Sequence, residues 1–315
     1  MDIDLDLAAI DEAARIVDRV FRDSPQFVCE QLCAALGRSV LVKIETANPL
    51  GSFKGRGADF LVRSLPAGST VVCASSGNFG VALAYAARSI GMGVHVYVSP
   101  GINPARRARM ESLGATVSVA ADDAARAARA HAAEHPGCVL ANNHPAVAEG
   151  AGTIGMELLR AGRLDTVVLP VSDGALITGT GRWIKAHSPA TRIIGVCPAA
   201  APAVAHSWRA GHVVRSEPAY TIADGLAMRE PAPEAVRRMG EVVDDMVLVT
   251  DPALLEAMRL AASTLGVLIE PSAAAGLAAI ACHDLPGATL ATVLTGTDPD
   301  AILLADPLRD SRMQG

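Results

Sequence analysis

Aromatic residues are scarce in this 315-residue chain: phenylalanine, tyrosine and tryptophan together make up 3% of the sequence. A protein that binds nucleic acid by base stacking needs exposed aromatic rings, and it usually carries a basic surface. This chain instead has 33 acidic and 27 basic residues and a net charge of −6 at pH 7. Composition and charge therefore argue against nucleic acid as a partner.

Long hydrophobic runs are also absent, although half of the residues are hydrophobic. No stretch reaches the roughly 20 uncharged apolar residues that a membrane-spanning helix requires. The first residues, MDIDLDLAAIDEAARIVDRV, are acidic and amphipathic, and they lack the basic start and apolar run of a signal peptide. We therefore expect a soluble, cytoplasmic protein with no membrane partner, folded as one large domain or two ordinary ones.

The chain has six cysteines but no CxxC pair. Cys29 and Cys33 are four residues apart, which places them on one face of a helix, but no second pair accompanies them. Zinc binding and a disulfide are the alternatives. The scattered positions favour buried thiols in a reducing compartment.

From about residue 69 onward, short strand-like runs alternate with alanine-rich helical segments. Predicted strands lie at 69–75, 94–99, 116–120, 138–142, 166–171, 192–198 and 289–295. Predicted helices lie at 78–91, 103–114, 122–135, a segment ending at 162, 179–187, 251–266 and 271–283. This alternation predicts an α/β fold with a largely parallel sheet, which binds ligands at the carboxyl ends of its strands. The less periodic region 206–240 is predicted to be a long functional connection.

Two loops in the first third of the chain carry candidate functional groups. SFKGRG places Lys54 among small residues that let a ligand approach closely, as a lysine that forms a covalent bond requires. A solvated lysine in a turn is the alternative. ASSGNFG (74–80) follows a predicted strand and opens a helix, so its hydroxyl and free N–H groups suit a carboxylate. Here the alternative is an ordinary N-cap turn.

Two further loops follow strands later in the chain. VSDGALITGTG (171–181) has small residues at a helix N-terminus, which suit a phosphate, and it matches neither GxGxxG nor GxxxxGK[ST]. Asp173 would repel a phosphate, so we expect its side chain to point away from one. VLTGTDPD (293–300) offers the hydroxyl groups of Thr295 and Thr297. Plain polar turns are the alternative for both loops.

In this order and spacing, the four loops resemble those of the fold-type II pyridoxal-phosphate enzymes. This family includes threonine and serine dehydratases, serine racemase, threonine synthase and cysteine synthase. SFKGRGA resembles the dehydratase segment that carries the Schiff-base lysine, and SSGNFG resembles the loop that binds the substrate carboxylate.

The resemblance extends through nearly the whole chain. VAEGAGTIG, TIADGLAMREP and LIEPSAAAGLAA resemble dehydratase and racemase segments. GTGRWIK is closer to cysteine synthase, and LTGTD is closer to threonine synthase. These matches imply a two-domain, tryptophan synthase β-like α/β fold with parallel-rich sheets flanked by helices. They imply a large cofactor-binding domain of residues 1–60 and 145–315, a small mobile domain of residues 61–144, and a homodimer.

The resemblance also implies pyridoxal 5'-phosphate as cofactor, an amino acid as substrate, and a role for each loop residue. Lys54 would hold the cofactor covalently and serve as the base for the α-proton, and Ser76 matches the second base of serine racemase. The implied cofactor-binding residues are Phe53, Lys54, Asn78, Ser172, Asp173, Gly174, Ala175, Leu176 and Thr295. The implied substrate-binding residues are Ser52, Ser75, Ser76, Gly77 and Asn78. Glu270 and Asp224 match motif positions that order the site, with helix capping and loop hydrogen bonds as the alternative.

Thr295 would face the nitrogen of the cofactor ring, and this placement favours one kind of chemistry. A hydroxyl does not keep that nitrogen protonated as a carboxylate would, so the ring is a weaker electron sink. β-Elimination is then favoured over transamination. The resemblance thus implies a lyase that converts a β-hydroxy amino acid, such as serine or threonine, to a 2-oxo acid and ammonia. The alternatives are β-replacement, racemisation, and a binding or regulatory protein that keeps the fold without the cofactor.

The sequence departs from the family pattern in three places. The phosphate loop has SDGA where many dehydratases have four glycines. Phe79 replaces a histidine that is common in dehydratases and racemases, which predicts a more apolar pocket. The segment GVCPAAAPAV has Cys197 and Ala203 where related enzymes carry acidic cation ligands, so we predict no metal at that site.

Overall fold

The computed structural model describes residues 3–217 and 220–297, in which strands and helices alternate. The strands are β1 (Gln26–Val28), β2 (Ser39–Ile44), β3 (Thr70–Ala74), β4 (Gly93–Val98), β5 (Thr116–Val119), β6 (Cys138–Leu140), β7 (Thr166–Pro170), β8 (Arg192–Pro198), β9 (Asp245–Val249) and β10 (Thr289–Leu294). The α-helices are α1 (Leu7–Ile16), α2 (Glu30–Leu36), α3 (Lys54–Ser64), α4 (Asn78–Ser89), α5 (Pro104–Ser112), α6 (Ala124–Glu134), α7 (Pro145–Leu159), α8 (Ala175–His187), α9 (Ala203–Ala210), α10 (Pro233–Val242), α11 (Asp251–Leu265) and α12 (Pro271–Cys282).

The strands form two sheets. The larger sheet has the order β1-β2-β10-β7-β8-β9, and the smaller has the order β5-β4-β3-β6. Every neighbouring pair is parallel except β1 with β2, which is antiparallel. The parallel pairs follow from the alternation of strand and helix, because a parallel neighbour needs a crossover connection. The predicted α/β fold, with parallel-rich sheets flanked by helices, is confirmed.

Alternating side chains of the larger sheet pack against helices on opposite faces. In β7, Val168 contacts the core formed with α2, α11 and α12, whereas Val167 and Leu169 belong to the core formed with α7, α8 and α10. Both faces are therefore apolar, as is expected for a buried parallel strand. The smaller sheet packs its apolar side chains, including Val71 and Val96, against α3 and α4.

The chain positions of the two sheets bear on the predicted domains. All strands of the smaller sheet lie between residues 70 and 140, and the larger sheet takes its strands from both sides of that stretch. The boundaries at 60 and 145 and the mobility of the smaller domain stay predictions. Among the described residues, no helix is long and apolar enough to cross a membrane.

Two features differ from the sequence-based expectations. The region 206–240 is not one long connection, because it contains the end of α9 and most of α10, separated by residues 211–232. The cysteines are all free, but only Cys73 and Cys197 are buried, and Cys282 is exposed. Burial raises the pKa of both buried thiols to about 12, so these two are inert under ordinary conditions.

Candidate active site

A cavity of about 410 Å³ opens where β3, β7 and β10 end, at the carboxyl edges of both sheets. Loops after parallel strands meet there, which is why segments far apart in sequence share one site. The sequence-predicted residues that line it are Ser52, Phe53, Lys54, Ser75, Ser76, Gly77, Asn78, Ser172, Asp173, Gly174, Leu176 and Thr295. Ala175 is the exception, since it does not line the cavity. The end of the VLTGTDPD loop, residues 298–300, lies outside the described residues.

Lys54 is the first residue of α3, and the preceding residues hold it in place. The Phe53 N–H donates to the Thr295 carbonyl at 3.0 Å, and the Lys54 N–H donates to Ser52 Oγ at 3.3 Å. Lys54 Nζ lies 4.9 Å from the centre of the Phe53 ring and 5.5 Å from that of Phe79. The amine is thus mostly buried between two aromatic rings, with a side-chain exposure of 15%.

Asp173 is where the structure corrects the sequence-based expectation. Its side chain does not point away from the site, because Asp173 Oδ2 lies 2.7 Å from Lys54 Nζ. Asp173 Oδ1 accepts from the Ala175 N–H at 3.0 Å. Burial opposes ionisation, but the Lys54 ammonium and the hydrogen bonds prevail and hold the pKa of the Asp173 carboxyl below its ordinary value. The carboxylate therefore engages the lysine directly.

The loop before α4 presents a hydroxyl and a helix N-terminus to the cavity. Ser75 Oγ accepts from the N–H groups of Gly77 and Gly80, at 3.3 and 3.1 Å. Ser75 therefore fixes the shape of the loop. Ser76 Oγ accepts from the Ser99 N–H at 3.2 Å, and its hydroxyl proton can be donated to a ligand. The free N–H groups of the first turn of α4 suit an anionic group.

Glu270 contacts Asn78 on the wall of the cavity. The Asn78 amide donates to Glu270 Oε1 and Oε2 at 3.3 and 3.2 Å. A Cβ atom on Gly296 would lie 2.6 Å from Glu270 Oε1, so only glycine leaves room for this pair. Glu270 precedes α12 in the LIEPSAAAGLAA motif, and it lines the cavity with Thr295.

The sequence analysis did not identify some of the residues that line the cavity. Arg106 of α5 donates to Asp224 at 2.9 Å, and both line the cavity. Asn142, which follows β6, accepts from the Ala74 N–H at 2.8 Å and donates to the Ala74 carbonyl at 3.0 Å. The rule that ligands bind at the carboxyl ends of strands points to Asn142, as it did to Ser75. No local pattern pointed to Arg106.

The lining groups fit a phosphorylated aldehyde, with one exception. Lys54 supplies a primary amine, and the first turn of α8, entered through Gly174 at φ +87°, offers backbone N–H groups to a phosphate. Ser272 lines the cavity, and its buried Oγ has no hydrogen-bond partner within the described part of the chain. The exception is the carboxylate of Asp173. Among residues 3–217 and 220–297, no group of three or more acidic, histidine or cysteine side chains is arranged for a metal ion, and the absence of a metal stays a prediction.

The chain is similar to curated enzymes that act on amino acids. It is 36% identical over 267 residues to the biosynthetic, chloroplastic threonine dehydratase of Arabidopsis thaliana. That match covers 81% of this chain but 45% of the relative, so the chain spans under half the length of that enzyme. It is 32% identical over 326 residues to the serine racemase of Arabidopsis thaliana, covering 98% of this chain and 97% of the relative.

A solved structure and a family model show similarity to the same kind of enzyme. The crystal structure of T.th. threonine deaminase matches with a TM-score of 0.87 and 33% identity, covering 93% of this chain and 98% of the other. The family model described as pyridoxal-phosphate dependent enzyme matches residues 17–296. Cavity, fold and similarity together assign the chain to the fold-type II pyridoxal-phosphate dependent enzymes.

Proposed function

We propose that the chain is a lyase that releases ammonia from a β-hydroxy amino acid such as serine, threonine or a bulkier relative. The observation that carries this proposal is the shared cavity. It brings together the amine of Lys54, the N-termini of α4 and α8, and the hydroxyl of Thr295. These groups supply a base, two anion receptors and a neutral partner for a ring nitrogen.

Each end of the substrate has a complementary group in the cavity. The N–H groups of the first turn of α4 and the Ser76 hydroxyl bind the substrate carboxylate. Residues Ser172, Gly174, Ala175 and Leu176 would hold the cofactor phosphate, mainly through backbone N–H groups just before and at the start of α8. Phe79, Leu226 and Met228 give part of the wall an apolar surface, which suits a substrate side chain larger than that of serine.

When bound, pyridoxal phosphate supplies the electron sink that acidifies the α-C–H bond. The Lys54 amine takes the α-proton, and the α-C–H electron pair forms the α,β double bond as the β-hydroxyl leaves. The proton and the hydroxyl are together lost as one molecule of water. The resulting enamine takes a proton on its β-carbon and is hydrolysed, which consumes one water. Overall, the amino acid becomes a 2-oxo acid and ammonia.

Racemisation is the second candidate, and Ser76 favours it. A racemase needs a second acid–base group, and Ser76 lines the same cavity as Lys54 with a hydroxyl proton to donate. The similarity to serine racemase over nearly the whole chain is a second reason to test this activity.

Replacement chemistry has weaker support. The cysteine synthase-like segment GTGRWIK lies within α8, beyond the residues of that helix that line the cavity. Its first residue packs against α7, since a Cβ atom on Gly179 would lie 1.8 Å from the Ala148 carbonyl oxygen. The segment therefore reflects helix packing. A cofactor-free role has one observation in its favour, the Asp173 carboxylate in the phosphate loop. Membership of a cofactor-dependent family and the position of Lys54 in the cavity argue against it.

A substrate screen tests the lyase proposal. L- and D-β-hydroxy amino acids are added to the cofactor-loaded protein, and release of 2-oxo acid is followed, with Lys54→Ala as the control. We expect release from at least one L-amino acid and none from the variant. Racemisation without release, detected by chiral chromatography, would replace the lyase proposal with the racemase. We also propose that the protein is a cytoplasmic homodimer. Light scattering in solution measures its oligomeric state.

A further inference from the structure

The Asp173 carboxylate contacts the Lys54 amine and the Ala175 N–H. A phosphorylated aldehyde bound in the cavity would interact with the same two groups. One carboxylate oxygen lies 2.7 Å from Lys54 Nζ, the amine to which an aldehyde must bond. The other accepts from the Ala175 N–H at the start of α8, where a phosphate is expected to bind. The carboxylate thus occupies groups that an anionic ligand would otherwise bind.

The other charges around the cavity do not relieve this conflict. Among residues 3–217 and 220–297, its lining contains two cations, Lys54 and Arg106, and three carboxylates, Asp173, Asp224 and Glu270. Arg106 donates to Asp224, and Glu270 accepts from the Asn78 amide. A cofactor phosphate would therefore enter a lining with an excess of negative charge, and Asp173 lies in the loop that would hold it. Like charges at such short range repel strongly when they are partly removed from water.

The Asp173 carboxylate lies at the surface of the cavity, where its side chain is 34% exposed, so protein does not enclose it on all sides. The backbone of the loop need not move, because Gly174 at φ +87° already sets the turn into α8. A ligand can thus exchange places with the carboxylate by a side-chain rotation.

We propose that Asp173 is a built-in competitor of the cofactor phosphate, so that this enzyme holds pyridoxal phosphate loosely and exchanges it with solution. In the free protein, the carboxylate holds the lysine and one N–H donor of α8. Cofactor binding must break both contacts and place a phosphate beside a displaced anion. The inference rests on the family cofactor and does not depend on the lyase proposal, so either can fail without the other.

Equilibrium binding to the cofactor-free protein tests this. Affinity for pyridoxal phosphate is followed by visible absorbance, and affinity for pyridoxal, which lacks the phosphate, is measured beside it. The variant is Asp173→Asn, whose amide oxygen still accepts from the Ala175 N–H. We expect it to bind pyridoxal phosphate about tenfold tighter or more, and pyridoxal less than about threefold tighter.

Asp224→Asn is the matched control, because it removes one negative charge from the same cavity without touching the Lys54 contact. We expect less than about a threefold change with either ligand. The unfolding temperature of each cofactor-free variant checks that it is folded, and Asp173→Ser repeats the test if Asp173→Asn does not fold.

Three outcomes would overturn the inference. Equal gains with both ligands would mean that Asp173 acts through Lys54 alone. Unchanged or weaker binding of pyridoxal phosphate to Asp173→Asn would mean that the carboxyl group does not oppose the phosphate. Equal gains in pyridoxal phosphate affinity in the Asp173 and Asp224 variants would mean that any negative charge in the cavity has the same effect. A gain that is selective for pyridoxal phosphate and specific to Asp173 is the result we expect.

Discussion

A side chain as small as a methyl group at Gly296 would disturb the wall of the cavity. It follows Thr295, and its backbone pairs with Ser52 in an isolated antiparallel bridge. A Cβ atom there would lie 2.6 Å from Glu270 Oε1 and 3.2 Å from Asn78 Nδ2, both of which belong to cavity residues. The neighbours are ends of side chains, so they would shift while the backbone stays in place.

We predict that Gly296→Ala weakens pyridoxal phosphate binding roughly tenfold, because it displaces the Asn78–Glu270 pair from the cavity wall. The free energy of unfolding should change by less than about 1 kcal/mol, since no buried backbone must move. Absorbance titration and urea unfolding measure the two effects. Gly240→Ala, on the exposed side of α10 with nothing within 4 Å of the added Cβ, is the control and should leave cofactor affinity unchanged. Unaltered affinity in Gly296→Ala would contradict the proposed role of this wall.

At the residue scale, the sequence predicted which residues lie in the cavity better than it predicted where their side chains point. The motifs identified which residues meet in the cavity, because strand-end loops converge at one edge of a parallel sheet. They did not predict that Asp173 turns toward Lys54, that Ser75 binds its own loop, or that Asn78 faces Glu270. Those contacts depend on side-chain directions, which are set by neighbours distant in the sequence. The assigned cofactor and substrate roles stay predictions.

Glycines within helices explain how α7 and α8 pack together. Gly152 and Gly155 in α7 lie against backbone atoms of α8, and Gly179 in α8 lies against the backbone of α7. Without side chains at these positions, the two helix backbones come close enough to contact directly. The VAEGAGTIG stretch, identified first as a family motif, therefore also has a packing function.

Gly179→Ala should destabilise the protein by about 3 kcal/mol or more, because its Cβ atom would lie 1.8 Å from the Ala148 carbonyl oxygen and force the helices apart. Urea unfolding followed by circular dichroism measures the loss. The same change at Gly240, in an exposed helical position, should be neutral or stabilise by up to about 1 kcal/mol. If the two variants proved equally stable, close packing of α7 on α8 would not be a major source of stability.

Periodicity predicted most elements from residue 69 onward, but it missed α9, α10 and β9. It also failed where stability comes from distant partners. Strand β2, SVLVKI, was not predicted, because Lys43 interrupts its apolar run. The charge of Lys43 is tolerated in the core because Glu157 of α7 lies 2.6 Å away and the Ser24 carbonyl and the Gln26 side chain also accept from its ammonium. Helix α8 begins at Ala175, four residues before the predicted start at 179, because the small residues of the loop continue directly into the helix.

At the scale of the whole molecule, side-chain contacts join the part that carries the smaller sheet to the rest across the cavity. Arg106 of α5 pairs with Asp224 at 2.9 Å, and Asn78 of α4 binds Glu270. Away from the cavity, apolar contacts join the same two parts, including Phe21 and Tyr85 of α4, whose ring centres lie 5.8 Å apart. The mobility of residues 61–144 stays a prediction. The polar pairs at the cavity suit a part that opens to admit substrate and closes over it.

The Arg106–Asp224 pair should favour the closed arrangement only slightly, because exposed ion pairs contribute roughly 0–1 kcal/mol. We predict that Asp224→Asn raises KM for the amino acid less than about fivefold, with kcat unchanged or slightly higher. Steady-state kinetics at low and high salt check this, since salt screening should make the wild-type enzyme resemble the variant. If the turnover rate instead fell by about two orders of magnitude, Asp224 would have a direct part in the reaction.

A buried cluster of four charges joins β2, α3 and α7 behind the cavity. Arg56, two residues after Lys54, bonds to Glu45 at 2.8 Å and to Glu157 at 2.6 Å, and Lys43 also contacts Glu157. Both carboxylates are balanced by a cation, so the cluster as a whole is neutral. It fixes the start of α3, and hence Lys54, to the larger sheet.

This cluster should make the stability of the whole protein sensitive to acid. Burial opposes ionisation of Glu157, but Arg56 and Lys43 prevail and lower its pKa from 4.5 to about 2. The resulting stabilisation, roughly 3 kcal/mol, is complete above pH 4.5 and is lost as the pH falls toward 2. We therefore predict that urea unfolding shows a steeper loss of stability from pH 7 to pH 3 in the wild type than in Glu157→Gln.

The Glu157→Gln variant should also be less stable at neutral pH, by about 3–5 kcal/mol, because it leaves two buried cations, Arg56 and Lys43, with Glu45 as their one carboxylate. Glu149, also buried on α7, supplies the control, since burial raises the pKa of its carboxyl. A carboxyl with a raised pKa stabilises the fold as the pH falls, so Glu149→Gln should lose stability with acid more steeply than the wild type. Parallel pH profiles for the wild type and both variants would mean that acid unfolding is governed by groups outside α7.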